Sequence, residues 1–172
     1  ETKAQDVKDS TDTAPSRLRI YWDSSRSRDA EAAKIEAKLV TKIAGDLGKK
    51  ISGIDLVQFA SGAPKVQKLT SAGALARTLE NIIYRGGTSL AGLDALTLDD
   101  ATLCLFVGDG NASVDFQASF DPDCVVHAIS AQQSANSARL GRIASRGQLV
   151  QISEQSDLDK IAKSLSGGGV NI

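Results

Sequence analysis

Residues 18–22 (Leu-Arg-Ile-Tyr-Trp) form an apolar run that stops at one carboxylate, Asp23, and is followed by the hydroxyls of Ser25 and Ser27. A short apolar run of this kind reads as a buried strand. The stretch after it, 29–47, carries Ala32, Ile35, Leu39, Val40, Ile43 and Leu47 at helical spacing, an amphipathic helix that Gly48 can stop. A buried strand feeding a helix is the opening unit of an α/β sheet, and in open α/β sheets ligands bind at the carboxyl ends of the strands. Asp23, Ser25 and Ser27 fall at that edge. Oxygen donors at alternate positions can face one point, and hard divalent cations prefer such donors. The same residues also fit a helix-capping turn, with Ser27 or Asp29 as N-cap.

The rest of the chain repeats the alternation. Partial apolar alternation over 51–59 predicts a second strand, Ser61-Gly62-Ala63-Pro64 a turn, and 65–69 a short edge strand. So close a pair implies a hairpin, making the edge strand antiparallel. Leu75, Leu79, Ile82 and Ile83 predict a second helix over 72–84, followed by Arg85-Gly86-Gly87-Thr88-Ser89 and a short helix through Leu90, Leu93 and Leu96. The continuous apolar run 101–107 marks a strand buried on both faces, and it ends in Gly108-Asp109-Gly110. Beyond a polar loop at 111–123, with a short strand within 114–120, the pattern gives a strand over 125–130, a helix over 137–145, a strand over 148–152 and a helix over 158–165. The expected fold is α/β: a doubly wound, mostly parallel sheet with one antiparallel edge strand and helices on both faces. The strands ending at Asp23 and Asp109 should be central neighbours. The expected organisation is a polar linker over 1–16, one domain over 17–166 and a Gly-rich tail over 167–172.

A chain of 172 residues with 41% apolar and 24% charged residues suits one globular domain. Net charge is −1, with 20 basic and 21 acidic residues and no recurring basic block, so there is no electrostatic footprint for nucleic acid. Aromatics, at 4%, are too sparse for stacking platforms on single strands. No run approaches a membrane-spanning length, so membrane insertion by this segment is not expected. The chain has no Met and opens on Glu1, which reads as a piece of a larger polypeptide. Cys104 lies in an apolar run and fits a small buried hydrophobe, with a disulfide to Cys124 left open. His127, the one histidine, has no second His or Cys partner and reads as a strand residue.

Asp23-x-Ser25-x-Ser27, Gly86-Gly87-Thr88 and Gly108-Asp109-Gly110 each supply oxygen donors, and glycine lets backbone approach closely. Together they could hold one divalent cation with a position left open for a partner's acidic group. At these residues the chain resembles the von Willebrand factor A (VWA) domain with its metal-ion-dependent adhesion site. That family's pattern is Asp-x-Ser-x-Ser after the first strand, a Thr in a middle loop and an Asp after the fourth strand. The words Trp22-Asp23, Tyr84-Arg85-Gly86-Gly87-Thr88 and Leu105-Phe106-Val107-Gly108-Asp109-Gly110 are similar to the bacterial branch that pairs this domain with a VIT domain.

The resemblance implies that Ser25, Ser27 and Thr88 coordinate Mg²⁺ (or Mn²⁺ or Ca²⁺) directly, and that Asp23 and Asp109 act mainly through bound waters. It further implies a protein partner presenting Asp or Glu, a non-enzymatic adhesion role and an extracytoplasmic location. Arg26, Arg28, Arg85 and Asn111 would form the partner-binding rim, although a solvated surface charge is the ordinary reading of any one arginine. Two positions depart from the family pattern: Arg26 stands where Gly is usual, and Gly108 where Thr or Ser is common.

Competing readings remain. A haloacid-dehalogenase-like phosphohydrolase would use Asp23 as nucleophile and Asp109 as a Mg²⁺ ligand, but it needs a second acid where Ser25 stands. A VWA-fold interaction module with an idle metal site would bind its partner in EDTA. A dinucleotide-binding domain lacks its Gly-x-Gly-x-x-Gly after the first strand.

Overall fold

The computed structural model describes residues 16–93, 96, 98, 100, 101, 103–111, 122 and 124–167. In chain order the elements are β1 (Ser16–Asp23), α1 (Ala30–Leu47), a 3₁₀ turn (Gly48–Lys50), β2 (Ile51–Phe59), β3 (Lys65–Leu69), α2 (Ala72–Glu80), β4 (Leu103–Val107), β5 (Val126–Ser130), α3 (Ser137–Ile143), β6 (Leu149–Gln151) and α4 (Leu158–Ser166). The sheet runs β3-β2-β1-β4-β5-β6. Every neighbouring pair is parallel except β2–β3, the hairpin that the short turn dictates. The expected fold class is the one observed.

Side-chain alternation along the strands builds a core on each face. Leu18, Ile20 and Trp22 of β1 pack with Ile54, Leu56, Leu105, Val107 and Ile129 beneath the apolar stripes of α1, α2 and α4. Tyr21, Val57, Phe59, Phe106, Val126 and Ala128 face the other way, against Leu90, Leu93 and Leu140 of α3. Phe59 and Phe106 stack there with centroids 5.3 Å apart. Cys104 and Cys124 form a disulfide, which resolves the alternative left open by their spacing and ties β4 to the segment entering β5.

The helix ends follow capping chemistry. Asp29 caps α1, its carboxylate accepting from Ala32 N at 3.0 Å, and Gly48 at φ 48° closes the helix. The helix expected over 72–84 stops at Glu80. Asn81 leaves helical geometry (φ −103°, ψ 11°), and Ile83, counted in the apolar stripe, is 67% exposed. The expected helix through Leu90, Leu93 and Leu96 is, where described, a succession of turns. Leu93 N bonds Leu90 O and Leu96 N bonds Leu93 O, the three-residue spacing of tight turns. The expected strand within 114–120 lies outside the described residues, as do 1–15 of the linker and 168–172 of the tail. Ser16, assigned to the linker, already belongs to β1.

The chain leaves β1 toward β2 on one side and returns from β3 to β4 on the other. That change of direction opens a crevice at the carboxyl ends of the two strands. Trp22 sits opposite Val107 in the ladder, so Asp23 emerges beside Gly108 and Asp109.

Candidate metal centre

Asp23 ends β1, and its Oδ1 accepts from Ser25 N at 2.9 Å, a local turn that a short carboxylate makes readily. Ser24 is anchored to the sheet, its N–H and hydroxyl both donating to Phe59 O. The turn leaves Ser25 Oγ 3.3 Å from Ser27 Oγ. Ser27 Oγ in turn donates to Asp109 Oδ2 at 2.9 Å, across 82 residues of sequence. Asp109 repeats the motif of Asp23, its Oδ1 accepting from Asn111 N at 2.9 Å. The middle loop is laced to the first by backbone bonds, Arg26 N to Gly86 O and Arg85 N to Ser24 O. Gly86 lies at φ 76°, where a Cβ would also stand 2.9 Å from Ser61 Oγ, so glycine is required. Thr88, 5% exposed, follows Gly86 by two residues on that laced loop.

Asp23, Ser25, Ser27 and Asp109 are therefore joined directly by hydrogen bonds, and Thr88 rides on a loop bonded to theirs. Arg26, Arg85 and Asn111, on the same three loops, are exposed. Arg28 is not on the rim. It is buried beneath the site, donating from Nε to Asp23 O at 2.8 Å, pairing with Glu36, and lying 5.6 Å from the centroid of the Trp22 ring. Glu36, on the inner face of α1, also accepts from Ala131 N at 2.8 Å. With both its oxygens acting as acceptors, the arrangement is that of a carboxylate. Burial holds its pKa above the ordinary value, against the opposing pull of Arg28 and the Ala131 hydrogen bond. Burial also works against the Arg28 charge, but Glu36, with Asp23 and Tyr84, outweighs it and holds Arg28 above its ordinary value.

Sequence reasoning missed Gln132, two residues past β5. Its amide nitrogen donates to Asp109 Oδ2 at 3.3 Å and Ser27 O at 3.1 Å, while its Oε1 accepts from Asp29 N at 3.1 Å. Its position at a strand's carboxyl end was the only available signal.

The donor set fits a hard divalent cation. Every candidate ligand is an oxygen, and Asp23 and Asp109 are 1% and 0% exposed. Neither makes an ion pair among the described residues. Burial pushes the Asp23 pKa up to about 6, against Arg28 and the Ser25 hydrogen bonds, with Asp109 adding to the rise. A buried carboxylate whose charge is this costly is stabilised by a cation. Among the described residues no cluster of three or more His, Cys, Asp or Glu offers a different kind of metal site.

Solved structures share this fold at low identity. An aerotolerance-related membrane protein from Bacteroides fragilis, with multiple mutations to serine, superposes with a TM-score of 0.63 at 13% identity, over 91% of this chain and 100% of that one. The pilus adhesin SpaC from Lactobacillus rhamnosus GG, in an open conformation, gives 0.55 at 13% identity over 91% of this chain and 30% of the adhesin. The VWA domain of SpRpn10 gives 0.51 at 9% identity over 88% and 95%. No family description matches the sequence, and no curated protein matches it. The chain has the fold of VWA domains.

Proposed function

We propose that this chain is a protein-binding module that takes an Asp or Glu of its partner through a divalent cation held by Asp23, Ser25, Ser27, Thr88 and Asp109. The carrying observation is the Ser27–Asp109 hydrogen bond of 2.9 Å, which brings the loops after β1 and β4 to one point with two buried carboxylates. Bound there, Mg²⁺, Mn²⁺ or Ca²⁺ would supply a Lewis acid for a carboxylate oxygen. Ser25, Ser27 and Thr88 offer neutral donors, which leave more positive charge for the partner than carboxylates would. Asp23 and Asp109 balance the remainder. Arg28, bonded to the Asp23 carbonyl, fixes the turn from below.

A non-enzymatic role is supported by Ser25, because phosphohydrolase chemistry of the dehalogenase type needs an acid at that position. An extracytoplasmic location is supported by the Cys104–Cys124 disulfide, and by the membrane protein and pilus adhesin among the structural neighbours. One observation favours the idle-site reading: Asp109 Oδ2 accepts from both Ser27 Oγ and Gln132 Nε2, two bonds that compete with a cation for the same oxygen.

Paramagnetic Mn²⁺ separates the two. Sub-stoichiometric Mn²⁺ should broaden the amide resonances of Ser25, Ser27, Thr88 and Asp109 before any others. Broadening confined to exposed carboxylates elsewhere would assign the fold to an interaction module without a metal.

A further inference from the structure

The surfaces on either side of the candidate metal centre carry opposite charge. Where β2 and β3 meet α2, a groove of about 640 Å³ is walled by Lys65 and Gln67 on one side and Arg77 and Thr78 on the other. Arg85 also lines it, and the Arg85 N–H is bonded to Ser24 O, so this residue belongs to both the groove and the rim. Lys65, Arg77 and Arg85 are exposed. Among the described residues none of them makes an ion pair and no carboxylate lines the groove. On the far side a cleft of about 770 Å³ runs from Ser27 to the ends of β5 and β6; its charged lining among the described residues is Asp29, Glu31 and Glu154, of which Glu31 is paired with Lys34 at 3.5 Å while Asp29 and Glu154 make no ion pair among the described residues.

We infer that the partner presents an extended acidic segment lying across the carboxyl edge of the sheet in one direction. Its metal-bound carboxylate sits between further acidic residues in the Lys65–Arg77–Arg85 groove and a neutral or basic end over the Asp29–Glu31–Glu154 cleft. This rests on the metal-dependent reading above. Charge complementarity sets the direction, because the reverse orientation would place like charges together on both flanks. A polypeptide suits the groove better than a phosphate polymer: Ile82 and Ile83 line it, and Ile83 at 67% exposed offers apolar contact. Among the described residues, neither groove nor cleft is lined by an aromatic side chain on which bases could stack.

The test is an NMR titration of the ¹⁵N-labelled chain with an acetylated, amidated Glu-Leu-Glu-Ser-Glu-Leu-Glu peptide, first in EDTA and then in Mg²⁺. In EDTA the peptide should shift the amides of Lys65, Gln67, Thr78 and Arg85 saturably. The exposed-site double variant Lys65→Glu, Arg77→Glu should weaken binding about tenfold, the sum expected for two exposed cations reversed. Mg²⁺ should then add shifts at Ser25, Ser27 and Thr88 and tighten the complex. Absent groove shifts, or equal affinity in the double variant, overturn the groove. Displacement of the peptide by oligothymidylate at equal concentration also overturns it, in favour of a phosphate polymer. Groove shifts without any Mg²⁺-dependent change support the groove and overturn the metal reading alone.

Discussion

Asp23 and Gly108 touch across the β1–β4 pair: a Cβ on residue 108 would lie 2.8 Å from the Asp23 Cβ and 3.1 Å from its Oδ2. The resemblance puts Thr or Ser at this position, and here the Asp23 side chain fills that space. What reads as a lost hydroxyl in the sequence is a packing requirement in the fold. Gly108→Ala should displace Asp23, lowering stability in urea unfolding by about 1–3 kcal/mol and weakening Mg²⁺ binding with it. Lower stability with unchanged Mg²⁺ affinity would detach Asp23 from the metal.

The buried Arg28–Glu36 pair supports the site from α1. Glu36→Leu leaves a guanidinium buried without its carboxylate and should cost about 3–5 kcal/mol in denaturant unfolding. Arg28→Met combined with Glu36→Leu should recover a large part of that loss, since no charge is then stranded. A double variant as unstable as the sum of the singles would contradict the pairing.

The sequence carried the frame and the hydroxyl–carboxylate set, and the structure added what holds them. β2 and β3 were legible to the residue, because the alternating apolar side chains and the intervening turn residues agree. The end of α2 was not, because Ile82, Ile83 and Tyr84 extend the apolar pattern past Asn81. Tyr84 in fact turns inward, its hydroxyl accepting from Trp22 Nε1 at 3.0 Å. Arg28 looked like a surface charge because its partner lies eight residues on, on a helix face apolar in every other respect. Gln132 carried no sign beyond its place after a strand: an amide there is ordinary until Ser27 and Asp109 are placed beside it.

Gln132 orients Asp109 and Ser27 without being a metal donor in this account. Gln132→Ala should therefore weaken Mg²⁺ binding about tenfold or more, while thermal stability in EDTA changes little. The comparison requires calorimetry and a melting curve on the same variant.

Stability in EDTA should depend on pH through Asp23. Its pKa is raised from 3.8 to about 6, so its contribution is fully present below the lower value and is lost as pH rises through the higher one. Asp23→Asn should then stabilise the metal-free chain at pH 8 by up to about 3 kcal/mol and make no such gain near pH 4. His127 acts in the opposite sense. Burial lowers its pKa from 6.5, and its Nδ1 accepts from Gln148 N, so its contribution is lost as pH falls below that value. The Asp23→Asn difference curve, being taken against the parent, excludes it. A flat difference curve would mean that the Asp23 charge is not costly in the fold.

The most direct measurement is a calorimetric titration of Mg²⁺ and Mn²⁺ into the chain beside an Asp23→Ala, Ser25→Ala double variant. The account predicts saturable binding near one ion per chain in the parent and none in the variant. Identical traces, whether both flat or both binding, would contradict a cation held by Asp23, Ser25, Ser27, Thr88 and Asp109.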